Sequence, residues 1–204
     1  MRLALLYARS RGLPIAGLLV AGLSIAGAWS ATWLVTRPWL DPQTARLPVT
    51  VVAALAVAIV LAGTLRTAAH EVEASAPRAW AGWRTAHAGG LALLTVGLLA
   101  PSLPLADYGA QSLLRNTVGL LGLALLTAAA IGPALAWTLP LGYTAAIYLG
   151  AVRLQTPGQS WWAFLLQPAD DPAASLTAGA LLVAGTLAWA LLSQPALTRE
   201  VRAA

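Results

Sequence analysis

No cysteine and no lysine occur anywhere in the chain, and acidic residues are reduced to seven. Without cysteine there is neither a disulfide nor a thiolate metal site. Without lysine the phosphate-binding loop G-x-x-x-x-G-K-[ST] cannot be written, so this chain is not expected to hydrolyse ATP. Charged residues of both signs make up 9% of the 204 positions, against roughly a quarter in a soluble domain. A surface facing water cannot be covered with so few charges. All twelve basic residues are arginine, and most flank apolar runs, which is the pattern of topology determinants rather than of nucleic-acid binding.

What the chain has instead is hydrophobic length. Uncharged runs such as Leu13 to Thr36, Leu47 to Leu65 and Ala86 to Ala106 each match the ~17–25 residues that cross a bilayer core as a helix. In lipid each backbone amide must be satisfied inside its own segment or in a closed barrel, and these Leu/Ala runs lack the alternation of barrel strands. The expected fold is all-α: one polytopic transmembrane bundle over residues 1–204. Its spans are expected near 13–36, 48–65, 87–106, 117–133, 136–152 and 173–193. The N-terminal arginines followed by an apolar run and small residues at Ala26 to Ala28 resemble a secretion signal. The run continues to Val35, so it reads as a retained first span.

The uncharged stretch from Thr117 to Val152 would be ~54 Å long as one helix, too long for a ~30 Å core. Two short spans broken at Gly132-Pro133 or at Leu139-Pro140 fit better, and a span plus a re-entrant segment is the alternative. Arginine placement sets orientation. With the N-terminus cytoplasmic, the inner side receives Arg2, Arg9, Arg11, Arg66, Arg78, Arg84, Arg199 and Arg202, and the outer side Arg37, Arg46, Arg115 and Arg153. Both termini are then cytoplasmic, which requires an even number of spans.

Small residues recur in the first span (Gly17, Gly22, Gly27) and the sixth (Gly179, Ala180, Ala184, Gly185), as in close helix pairs. The three glycines of the first span advance by five residues and do not share a face. Ser24 lies mid-span without a histidine to activate it, and is expected to bond a carbonyl one turn back. The span cores contain no ionisable residue, so a passage lined by Thr64, Thr95, Thr127, Thr138, Tyr143 and Tyr148 would have no ion-coupling group of its own. No acid, base or nucleophile cluster occupies a cavity-forming position, and no enzyme activity, metal or cofactor is expected in this chain.

Two loops carry the remaining information. The inner loop 66–87 holds both histidines, Glu71 and Glu73. Position 74 is alanine, so His70-Glu71 does not begin the H-E-x-x-H zinc motif. Ser75 and Pro77 offer a helix start, after which Trp80, Trp83, Arg84 and His87 fall on one face of a short helix at the membrane surface. Trp80 and Trp83 are candidate interface anchors, and Glu71, Glu73, Arg78 and Arg84 are candidate contacts for a cytoplasmic partner. The outer segment 153–172 contains Ser160-Trp161-Trp162-Ala163-Phe164-Leu165-Leu166-Gln167, too short to span. It is expected to lie in the outer interface with Trp161 and Trp162 at headgroup depth, either as a simple anchor or as an external gate.

A basic pre-helix at Arg2 to Arg11, an inner loop with a short helix at Arg66 to His87, and an interfacial segment at Ser160 to Gln167 together resemble the permease subunit of type-2 ATP-binding-cassette transporters, particularly the small six-span permeases of actinobacteria. The resemblance is architectural and covers the whole chain. It implies an exporter permease in a bacterial plasma membrane, driven by a separate cytoplasmic ATPase that would carry the ATP and magnesium. It also implies a second permease subunit, like or unlike this one, to complete the translocation pathway. The ATPase contact would fall on Glu71, Glu73, Arg78 and Arg84. A non-transport membrane anchor, assembly, signalling or immunity protein is the alternative reading.

Overall fold

The computed structural model describes residues 2–37, 42–66, 80–99, 109–150 and 162–192. Among them there are helices and turns and no strand. In chain order the helices are α1 (Arg2–Ser10), α2 (Leu13–Val35), α3 (Pro42–Gly63), α4 (Trp80–Leu99), α5 (Ala110–Ile131), α6 (Thr138–Gly150) and α7 (Pro172–Leu192), with 3₁₀ turns at Pro133–Leu135 and Phe164–Leu166.

Glycine and proline set most of the boundaries. Gly12 sits at φ 65°, in left-handed space, between α1 and α2, with Pro14 in the first turn of α2. Gly109, at φ 84°, opens α5. Gly132, at φ 102°, closes it, and Pro133 begins the 3₁₀ turn that follows. Only glycine enters these conformations without a Cβ penalty. The long uncharged stretch therefore breaks at Gly132-Pro133, while Pro140 falls in the first turn of α6, where its missing N–H costs no helical hydrogen bond. Asp171 caps α7, its carboxylate accepting from the backbone N–H of Ala173 at 2.8 Å and of Ala174 at 3.1 Å. At the end of α2 the Arg37 guanidinium lies 3.9 Å over the Trp33 ring, placing a cation at the negative end of the helix.

Among the described residues, three helices are long and apolar enough to cross a membrane: Leu13–Leu34, Ala110–Ile131 and Pro172–Leu192. The apolar part of α3, Val49–Gly63, is shorter, and the 13 residues of α6 extend only about 20 Å. The outer faces are apolar: Leu18, Leu93 and Leu176 are each about three-quarters exposed. With a soluble surface already excluded by composition, these features describe a helical membrane protein.

The bundle is arranged around α5. It is 67% buried along its apolar window, against 22% for α2 and for α7, and it packs on α3, α4, α6 and α7. The seam between α5 and α7 is the closest in the molecule. A Cβ on Gly122 would run into the backbone of Leu181 and Leu182, and one on Gly185 into the carbonyl of Gly122. By contrast Gly17, Gly22 and Gly179 face open space and Gly27 makes only ordinary contact with Ala53. The close approach thus uses Gly185, as the small residues of the last span suggested, and a partner glycine in α5 that the sequence reading passed over.

Apolar packing divides into two clusters along the helix axes. One joins Val51, Ala54, Leu113, Leu120, Phe164 and Ala178. The other joins Val57, Leu61, Leu91, Leu125 and Trp189. Each lies beneath one of the two polar arrangements described next.

Candidate functional site

The first arrangement lies where α1 turns into α2. α1 ends with Arg11 N donating to the Tyr7 carbonyl and Gly12 N to the Arg9 carbonyl, so Arg11 is carried at the corner. Its guanidinium is buried, and Nη1 donates to the carbonyl of Leu65 at 3.0 Å. Leu65 terminates the turn after α3, where carbonyls lack intrahelical donors and the helix dipole is negative. A cation there both fills a hydrogen-bond vacancy and meets favourable potential. The corner between α1 and α2 is thereby fastened to the point where loop 66–87 begins.

The other end of that loop is held as well. Tyr7 packs on Trp83 at 5.4 Å between ring centroids and meets His87 edge-on at 5.7 Å. His87 is buried, with its Nε2 3.3 Å from Thr64 Oγ1 and its ring 5.8 Å from that of Trp189. The Arg11 guanidinium lies 5.0 Å from the Tyr7 centroid. Three helices and the turn after α3 thus meet on three aromatic rings and one imidazole. Beside them an open cavity of about 320 Å³ is walled by Tyr7, Leu13, Trp83, His87, Gly90 and Leu94.

The predicted partner contacts divide across this region. Glu71, Glu73 and Arg78 lie outside the described residues, while Arg84 is half-buried in the second turn of α4. Trp80 opens α4 and Trp83 follows one turn later. The expected short surface helix is continuous with the third apolar run, because no helix breaker separates them. His87 accordingly faces α1 and α7 rather than a loop.

The second arrangement lies at the far end of α5. That helix starts at Ala110 rather than at the expected Thr117, which brings Arg115 and Asn116 into its second turn, both buried. Arg115 donates to the carbonyls of Gln167 at 2.8 Å and Pro168 at 2.6 Å, and its Nε and Nη2 donate to Asn116 Oδ1 at 3.3 and 3.2 Å. Asn116 Nδ2 donates to the Leu165 carbonyl at 3.1 Å. Two adjacent side chains hold three carbonyls of the segment between α6 and α7, and the Pro168 carbonyl also accepts from Asp171 N at 3.3 Å.

The middle of that segment, Ala163 to Leu165, is buried in the protein. Phe164 and Leu165 are each about 1% exposed. The Phe164 ring fills the space over Gly119, where a Cβ would come within 2.6 Å of it, and stacks on Tyr143 at 5.3 Å. The Tyr143 hydroxyl donates to the Trp162 carbonyl. Trp162 is half-buried, and Trp161 lies outside the described residues. Phe164 docks because Gly119 leaves a ring-sized recess and Arg115 and Asn116 supply donors to the neighbouring carbonyls.

The threonine hydroxyls expected along a passage bond backbone carbonyls three or four residues back. Thr95 donates to the Leu91 carbonyl, Thr127 to Leu123, Thr64 to Leu61 and Thr138 to Leu135. Ser24 bonds the Val20 carbonyl at 2.7 Å, one turn back as its position suggested. Asn116, Gly119, Gly122 and Tyr7 were not singled out in the sequence, and Arg115 entered only as a topology determinant. The signal was present for the glycines, whose i, i+3 spacing puts them on one face of a Leu-rich run. Comparison with protein-family models, curated proteins and solved structures returns no match.

Proposed function

We propose that the chain is the membrane-spanning permease subunit of an exporter driven by a separate cytoplasmic ATPase. In this reading α2, α3, α4, α5, α6 with the residues after Gly150, and α7 are six crossings with both termini inside. A second permease subunit completes the pathway, and ATP and magnesium belong to the ATPase. Glu71, Glu73, Arg78 and Arg84 meet that partner.

The observation that supports it is the double attachment of α1. Arg11 fastens it to Leu65, and Tyr7 fastens it to Trp83 and His87. Both ends of loop 66–87 are therefore held by one short helix at the same end of the bundle. A partner that displaces this loop would displace α1, α3 and α4 together, which is what a chain without a nucleotide site needs in order to be driven from outside. The docked segment over Gly119 would serve as the closed state of the opposite side.

The test is co-purification in mild detergent. The wild type is expected to bring down a P-loop ATPase. Glu71→Arg with Glu73→Arg is expected to release it while the permease stays inserted at normal level, since reversing acids that face basic partners turns attraction into repulsion worth several kcal/mol. A wild type that captures no ATPase, or a double variant that retains it fully, overturns this reading in favour of a non-transport membrane anchor.

A further inference from the structure

The cavity beside α1 is more than a gap in packing. It is open on one side, its walls are almost wholly apolar, and at about 320 Å³ it stands at the low end of the ~300–1,000 Å³ of small-molecule sites. That volume suits part of one flexible chain rather than a whole lipid. It starts at Leu13, the first residue of α2, where the most apolar helix of the N-terminal half begins.

The charged residues on the helices that form its walls have one sign. Its walls come from α1, from the start of α2 and from α4. No acid occurs before Asp41, and none between Glu73 and Asp107. The segments that build the cavity therefore carry Arg2, Arg9, Arg11 and Arg84 and no carboxylate. Arg9 follows the lining residue Ala8, and Arg84 follows the lining residue Trp83. An anion with an apolar tail meets complementary surfaces at both of its ends.

We propose that this groove binds an anionic phospholipid, one acyl chain lying between α1 and α4 against Tyr7, Trp83, Gly90 and Leu94, with the headgroup phosphate outside beside Arg9 and Arg84. The bound lipid fills the space under α1 and so braces the helix that holds loop 66–87. The inference stands on the cavity and its charges and does not depend on an ATPase partner.

Gly90 supplies the test, since a Cβ there meets nothing within 4 Å. Gly90→Leu therefore starts from an unobstructed Cβ on a wall of the groove, and Gly142→Leu, whose Cβ is equally unobstructed on α6, is the matched control. The full-length chain is stripped of lipid in detergent and titrated with phosphatidylglycerol or phosphatidylcholine, and bound lipid is counted by native mass spectrometry. One phosphatidylglycerol is expected to bind, more tightly than phosphatidylcholine. Gly90→Leu is expected to weaken it by about tenfold or more in Kd, Gly90→Ala by less, and Gly142→Leu not at all. Arg84→Gln should erode the preference for the anionic headgroup, and glycerol 3-phosphate, a headgroup without chains, should not compete. Equal binding of the two lipids, indifference to Gly90→Leu, or displacement by glycerol 3-phosphate each overturns the proposal.

Discussion

Gly122→Ala tests whether the α5–α7 seam is the structural axis of the molecule. The added methyl group would sit against the backbone of Leu181 and Leu182, which cannot rotate out of the way as a side chain would. Carbon atoms are at rest near ~3.5–4.0 Å, so the helices must separate, and overpacking of this kind costs ~1–3 kcal/mol. Replacing glycine by alanine inside a helix also returns ~1 kcal/mol of helix propensity. The two effects oppose, so Gly122→Ala alone would change stability by only ~0–2 kcal/mol. The informative quantity is the difference from Gly97→Ala on α4, where the new Cβ meets nothing within 4 Å and only the propensity gain applies.

Equilibrium unfolding in mixed micelles with increasing dodecyl sulfate, followed by the fluorescence of the nine tryptophans, measures both variants on one scale. Gly97→Ala is expected to be about 1 kcal/mol more stable than the wild type, and Gly122→Ala less stable than Gly97→Ala by ~1–3 kcal/mol. Gly185→Ala presses on the same contact from the other side, because its Cβ would meet the carbonyl of Gly122. Once one methyl has opened the seam the second adds little, so the double variant should fall short of additivity by roughly 1 kcal/mol. If Gly122→Ala is as stable as Gly97→Ala, or if the two seam variants add fully, the helices are not in backbone contact and the argument fails.

Arg115→Met should leave the carbonyls of Gln167 and Pro168 without their charged donor, at a cost on the order of 2–3 kcal/mol, and should free the segment over Gly119. Faster hydrogen exchange confined to residues 162–171 is the expected signature, and unchanged exchange would refute the role given to Arg115. Asp171→Ala removes the cap of α7 and is expected to cost about 1 kcal/mol in the same unfolding assay. Asp171→Asn, which can still accept from the Ala173 and Ala174 amides, should recover most of it.

Hydropathy located the apolar runs, and three of the helices begin before them. α3, α4 and α5 start at Pro42, Trp80 and Ala110, whereas the apolar runs begin near 48, 87 and 117. The first turns of these helices contain Gln43, Thr44 and Arg46, or Trp83 and Arg84, or Gln111, Arg115 and Asn116. Such residues are poor in lipid yet entirely competent in a helix, and a transfer scale registers only the first property. For the same reason Arg115 appeared to lie outside any core. The break at Gly132-Pro133 was legible as one of two alternatives because it is made by local chemistry.

The docking of Phe164 was not legible, since its recess is made by Gly119, 45 residues earlier, and its donors by the two residues just before Thr117. The seven residues Trp161 to Gln167 read alone have the composition of an interfacial anchor. The inner knot was half legible. Trp83 and His87 share a helix face in the sequence, but nothing in residues 2–10 announces that Tyr7 will be the side chain they meet.

α7 links these two arrangements mechanically. Its first turn is set by Asp171, just beyond the carbonyls held by Arg115, and its last turns carry Trp189 against His87. Between them Gly185 lies against Gly122, so over about 30 Å of helix α7 is locked to α5 and cannot slide along it without opening the closest contact in the bundle. The left-handed glycines lie outside this pair, at Gly12, at Gly109 before α5 and at Gly132 after it. Rotations at Gly12 and Gly132 move α1 and α6 while leaving the α5–α7 pair intact. Any displacement imposed on the α1–α4 knot therefore reaches Trp189 first, and through a rigid pair of helices reaches the seat of Phe164. Packed interfaces of this kind switch between discrete arrangements rather than deform continuously, so under the proposed function the inner loop and the docked segment would change state together.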